Sequence, residues 1–127
     1  MQPEILAPAG SMEALRAAVG AGADAVYLGA SQYGARAYAQ NFGGDELREA
    51  VHYCHLWGVK VYVTVNTLVT DRELCGMTDF IRELCDLGVD AAIVQDLGVA
   101  ALVRRLAPQL SLHGSTQMTL CNLDGVR

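Results

Sequence analysis

A strand–helix unit that recurs along the chain constrains its fold more than any other feature. Gly22, Gly58 and Gly88 each close an amphipathic stretch and precede a short apolar one. They lie 36 and 30 positions apart, close to the length of one strand–helix–strand repeat, about 30 residues or more. Glycine suits such stops because it takes the left-handed conformation that ends many helices.

The units read as follows. Ile5–Ala7 is a short apolar strand, and Ser11 caps a helix whose inward stripe is Met12, Leu15, Ala18 and Val19. Ala25–Leu28 is a buried strand ending at Gly29. Asp45 starts a second helix with Leu47, Ala50, Val51 and Cys54 on one face. Val59–Val65 is rich in β-branched residues and ends at Asn66. Thr70 to Glu73 has the spacing of a capping box, before a helix carrying Leu74, Met77, Ile81 and Leu84. Ala91–Val94 forms a fourth strand running into Gln95 and Asp96. Val99, Leu102, Val103 and Leu106 mark a fourth helix, Leu110–His113 a fifth strand, and residues 122–127 the start of a fifth helix.

Strict alternation of this kind predicts an α/β fold with a parallel sheet and right-handed crossovers. A closed barrel and an open doubly wound sheet both satisfy it. The first strand–helix turn, Ala7 to Met12, lacks the glycine-rich dinucleotide fingerprint, which favours the barrel. A (β/α)8 TIM-type barrel takes about 250 residues, whereas this chain has 127, with about four and a half βα units. It therefore reads as one domain over residues 1–127, a partial, apparently truncated barrel and its N-terminal half. Its open edge could be covered by a homodimer.

Composition narrows the class further. Hydrophobic residues make up 52% of the chain, too many for disorder. The formal charge of −5 gives no basic face for a nucleic-acid backbone. No apolar run reaches the ~18 residues of a membrane helix, and Met1–Glu4 is unlike a secretory signal. The expected location is the cytoplasm, where Cys54, Cys75, Cys85 and Cys121 are thiols. Their spacings of 21, 10 and 36 residues include no C-x2-C pair, so no metal site is expected in this segment.

Five ordered blocks carry a resemblance: Glu4–Glu13, Gly22–Gly29, Ala35–Ala37 with Asn41–Phe42, Gly58–Thr67 and His113–Met118. Together they are similar to the opening of the collagenase-like peptidase family, family 32 among peptidases of unclassified catalytic type. The resemblance implies a hydrolase, a collagenase-like peptidase whose mechanism it leaves unassigned. It also implies an alternative, because other members take part in hydroxylating tRNA, rRNA or a ubiquinone precursor and resemble iron–sulfur proteins. The cysteines for such a cluster lie downstream of the matched blocks. Expected partners are a peptide or small-molecule substrate, RNA for the alternative, and a second copy if the segment is a non-catalytic, self-associating half barrel. No membrane is expected.

Chemistry in a barrel sits on the loops after the strands, and that rule selects the candidate residues. Arg36 and Asn41 lie in the 15-residue stretch 30–44 after the second strand, long enough to suggest a binding loop. A guanidinium there would fork onto a carboxylate or phosphate, or pair with a nearby acid. Asn66, Gln95, Ser115 and Gln117 are candidate substrate contacts. His113 and Asp96 are the candidate catalytic residues, although Asp96 equally suits a helix cap. His113 and Ser115 share a face but stand about 6–7 Å apart along a strand, too far for a Ser–His nucleophile pair. Glu4, at the opposite end, is expected to stabilise rather than react.

Overall fold

The computed structural model describes residues 3–35 and 41–126. The elements are β1 (Leu6–Pro8), α1 (Met12–Gly20), β2 (Ala25–Gly29), α2 (Gly44–Leu56), β3 (Lys60–Val65), α3 (Asp71–Asp86), β4 (Ala91–Val94), α4 (Leu97–Leu106), β5 (Ser111–Gly114) and α5 (Leu123–Val126). A 3-10 turn, Thr116–Met118, follows β5.

Local chemistry accounts for the boundaries. Ser11 accepts from the Ala14 backbone N–H and starts α1. The Glu73 carboxylate accepts from both the N–H and the hydroxyl of Thr70, at 2.8 and 2.7 Å, and starts α3. Gly22, Gly58 and Gly88 have φ of +89°, +70° and +77°, where a side chain would strain the backbone. Four boundaries differ from the sequence reading. The first strand runs one residue later, into Pro8, which an edge strand tolerates because no ladder bond needs its missing N–H. The second helix begins at Gly44 rather than Asp45, with Gly43 as its N-cap. The third strand begins at Lys60 rather than Val59, because the Val59 N–H turns back to the Cys54 carbonyl. The fifth strand begins at Ser111, because the Leu110 N–H turns back to the Ala107 carbonyl.

Among the described residues the five strands are parallel and follow chain order, β1-β2-β3-β4-β5. A doubly wound sheet would reverse direction at a switch point. Here each crossover steps the same way, so the helices gather on one face. Val26 and Leu28, Val61, Val63 and Val65, and Ala92 and Val94 turn to that face. They pack with Leu15, Leu47, Val51, Met77, Ile81, Leu84, Val99 and Val103 in one core. This is the winding of a (β/α)8 barrel, with the sheet open at β1 and β5. No helix of the described residues is long and apolar enough to cross a membrane.

The other strand face holds a second, smaller cluster of Ala25, Tyr62 and Ala91, flanked by Tyr27 and Ile93. The register aligns Gly29 with Thr64, Thr64 with Ile93, and Ile93 with His113. This row lies one layer nearer the C-terminal strand ends than Tyr27, Tyr62 and Ala91.

Candidate functional site

That second face forms the floor of a cavity of about 510 Å³ at the C-terminal ends of the strands. Tyr27, Thr64, Ile93 and His113 line it from the strands, and Asn41, Asn66, Ser115 and Gln117 from the loops. Its lining includes no Asp, Glu, Lys or Arg among the described residues, and His113 is its one imidazole. Amides, hydroxyls and aromatic rings therefore set its chemistry, which suits an uncharged polar group better than a phosphate.

Asn66 organises the mouth. Its side-chain carbonyl accepts from the Ala35 backbone N–H at 3.1 Å, and its amide donates to Ser115 Oγ at 3.4 Å. The Ala35 N–H can only donate, which settles which end of the amide faces it. Thr67 Oγ1 donates to the Tyr33 carbonyl, and Tyr33 Oη reaches the Glu73 carbonyl at 3.4 Å. The loop after β2 is thus tied to the β3–α3 connection. Its base is closed by a parallel bridge between Ala30 and Phe42, with Phe42 buried. Asn41 stands beside Gly29 so closely that a Cβ there would lie 2.6 Å from Asn41 Oδ1.

Ser115 is buried, and its Oγ also accepts from the Gln117 N–H at 3.2 Å, capping the 3-10 turn. The structure brings His113 and Ser115 to one cavity but not into hydrogen-bond contact. Gln95 and Asp96 stand apart from this cavity, in a shallower depression with Leu97 and Gln117. Gln95 Nε2 donates to the Gln117 carbonyl at 3.4 Å. Asp96 is the N-cap of α4. One carboxylate oxygen accepts from Gly98 N–H and Val99 N–H at 2.7 and 3.0 Å, and the other from Val69 N–H at 3.4 Å. Arg36 lies outside the described residues.

Beneath His113 is an arrangement that the sequence reading missed. The rings of Tyr62 and His113 meet edge to face, 4.7 Å between centroids at 80°. Tyr62 Oη donates to one carboxylate oxygen of Glu4, and Lys60 Nζ lies 2.8 Å from the other. Those two bonds, the Lys60 one first, hold the Glu4 carboxyl below its usual range. Burial, and then the bond to Glu4, pushes the Tyr62 phenol up to about 12. Sequence placed Glu4 at the start of the first strand, but its partners 56 and 58 positions away were not legible there.

The cysteines do not fit a metal cluster. Cys54 is fully buried under α2, where burial raises its thiol to about 11. Burial also raises Cys85, while Cys75 is exposed on α3 and Cys121 is exposed in the connection before α5. A cluster needs converging thiolates, and among the described residues no three His, Cys, Asp or Glu side chains converge.

Residues 10–127 match the model of the family described as Peptidase family U32. A tRNA hydroxylation protein P1 of Bacillus subtilis is 40% identical over 126 residues, 99% of this chain and 30% of that protein. A 23S rRNA 5-hydroxycytidine synthase of Escherichia coli is 43% identical over 121 residues, covering 95% of this chain and 18% of the other. A collagenase of Porphyromonas gingivalis is 38% identical over 125 residues, 98% of this chain and 30% of the collagenase. The chain thus spans less than a third of each of these curated relatives. A solved U32 peptidase superposes with a TM-score of 0.67 at 18% identity, over 91% of this chain and 50% of the other, which shows the fold alone.

Proposed function

The chain belongs to peptidase family U32, and on that premise we propose that it supplies part of the substrate pocket of an RNA-hydroxylating protein. The observation that carries this reading is the cavity, whose lining among the described residues combines apolar side chains with amides, hydroxyls and aromatic rings and includes no Asp, Glu, Lys or Arg. Such a lining suits a neutral, flat, hydrogen-bonding group such as a pyrimidine base, with Tyr27 for its face and Asn66, Asn41 and Gln117 for its edge. The similarity to tRNA and rRNA hydroxylation proteins points the same way. His113 is placed to contact the base or to hold a proton for it. The net charge of −5 offers the RNA backbone little attraction, so phosphate contacts fall to the portion of the protein that this chain does not span. The iron–sulfur cluster belongs there too in this reading, since the thiols here do not converge. The protein works in the cytoplasm, where its RNA substrates are. A second copy across the open sheet edge would give a solution mass of twice 13.6 kDa.

Collagenase-like proteolysis is the second reading, favoured by the 38% identity to a named collagenase. The cavity supports it less, because Ser115 Oγ already accepts two hydrogen bonds and does not meet His113. The two separate in one experiment. The gene carrying this chain is expressed in bacteria lacking their own RNA hydroxylation proteins, and total RNA nucleosides are measured by mass spectrometry. We expect hydroxylated pyrimidine nucleosides with the wild type and a several-fold loss with His113→Ala. Their absence, together with cleavage of denatured collagen by the same protein, would overturn the proposal in favour of proteolysis.

A further inference from the structure

Tyr62 begins one layer below the cavity floor, on β3, and its neighbour across the sheet on β4 is Ala91. Ala91 is small and fully buried, so the Tyr62 ring can lean over it toward β5. There it meets His113, which sits one layer higher and beside Ile93. The phenol end is anchored: its hydroxyl donates to Glu4, and Lys60 holds the other oxygen of that carboxylate. Tyr62 is only 5% exposed, whereas His113 is open to the cavity. Among the described residues the His113 ring nitrogens have no hydrogen-bond partner, so its firmest neighbour is the Tyr62 ring. An imidazole on a strand has two free torsions, and an edge-to-face ring contact adds about 0.5–1.5 kcal/mol to the preferred geometry.

We propose that Tyr62, anchored by Glu4, is a positioning residue that sets the His113 imidazole in one orientation, with a ring nitrogen directed at the group bound in the cavity. This rests on the reading of that cavity as the substrate site. The Glu4 carboxylate does not line the cavity and has no hydrogen bond to the imidazole; it anchors the tyrosine ring and also attracts the imidazole directly through its charge. The arrangement confines His113 without consuming either nitrogen, so both remain available to accept from or donate to a ligand.

The test compares Tyr62→Phe, Tyr62→Leu and Glu4→Gln in the intact protein. Proton–carbon correlation spectra follow the His113 imidazole, assigned by the signal lost in His113→Ala. The wild type is expected to show one sharp pair of imidazole signals, displaced by the Tyr62 ring current. Tyr62→Phe keeps the ring but cuts its anchor, and should broaden or double those signals; Glu4→Gln, whose amide can still bond the Tyr62 hydroxyl, should do so more weakly. Tyr62→Leu should abolish the displacement, and if that variant does not fold, Tyr62→Phe still decides. A purely structural role would leave the imidazole signals unchanged in Tyr62→Phe, and that result would overturn the proposal. The same variants should lower hydroxylated nucleosides several-fold in the cell assay at equal protein level. Altered imidazole signals with full hydroxylation would also overturn it, since the orientation would then not matter to the reaction. If the wild type itself supports no hydroxylation, the reading of function fails. The imidazole spectra then decide the positioning claim by themselves.

Discussion

Asn66 and Ser115 join the ends of β3 and β5 through a 3.4 Å hydrogen bond from amide to hydroxyl. They are 49 positions apart in the chain, and the bond spans the mouth of the cavity past the end of β4. It makes Ser115 a fastening for the rim and Asn66 the clamp between two loops.

Ser115→Ala should therefore weaken the fold without abolishing chemistry. Loss of the bonds from Asn66 and Gln117 predicts a destabilisation of about 1–2 kcal/mol by urea unfolding. The yield of hydroxylated nucleosides should stay within a few-fold of wild type. Complete loss of function with stability intact would show that Ser115 acts on the substrate and not only on the rim.

Gly29→Ala tests the opposite wall. The added Cβ would fall 2.6 Å from Asn41 Oδ1, a contact with a side chain that can move. The expected cost is about 1–3 kcal/mol, with Asn41 displaced from the cavity and activity falling more than stability. A crystal structure of the variant with Asn41 in place would refute this.

For Asp96 the informative pair is Asp96→Asn and Asp96→Ala. Asparagine can still accept from Gly98 and Val99 but turns its NH2 toward the Val69 N–H, so it should cost about 0.5–1.5 kcal/mol, whereas alanine, which loses all three bonds, should cost about 1–3 kcal/mol. Both should retain function in proportion to their stability. If Asp96→Asn folds normally but is inactive, the carboxylate has a chemical role that capping does not explain.

Cys54 predicts an alkaline weakness. Its thiol is raised from 9.0 to about 11 in the folded state, so between those values the unfolded chain releases a proton that the folded chain keeps. Stability therefore falls as pH rises through this window. Unfolding midpoints measured at pH 8 and pH 10.5 should differ less in Cys54→Ala than in wild type, although that variant starts from a lower stability. Thiol reagents should meet Cys75 and Cys121 first and Cys54 only on unfolding. Early labelling of Cys54 in the native protein would contradict its place in the core.

Much of the fold was legible because its determinants are local. Leu47, Ala50, Val51 and Cys54 were identified as one helix face by spacing, and they are the buried face of α2. Gly22, Gly58 and Gly88 were identified as stops, and each has positive φ. Boundaries missed by one residue fall where a turn competes with the element, as at Leu110. The site was legible only as a set of strand ends. The rule that chemistry gathers there selected Asn66, His113, Ser115 and Gln117, which line the cavity together. It also selected Gln95 and Asp96, which face a different depression. Tyr62 passed as one more strand residue, because nothing near it in sequence marks its partners.

Alternation of apolar runs, helix caps and glycines determined from sequence alone that this chain makes successive βα units on a parallel sheet. Each of those signals acts within a few residues, so it survives without knowledge of the neighbours. Which side chains meet was decided by the tertiary structure. Parallel register slides Tyr62 opposite Ala91 and His113 opposite Ile93, and a shift of one residue would turn each to the other face. Register is set by how the helices pack across their crossovers, a property of the whole assembled sheet. Glu4, Tyr62 and His113 are consequently one arrangement in space and three unrelated residues in the chain.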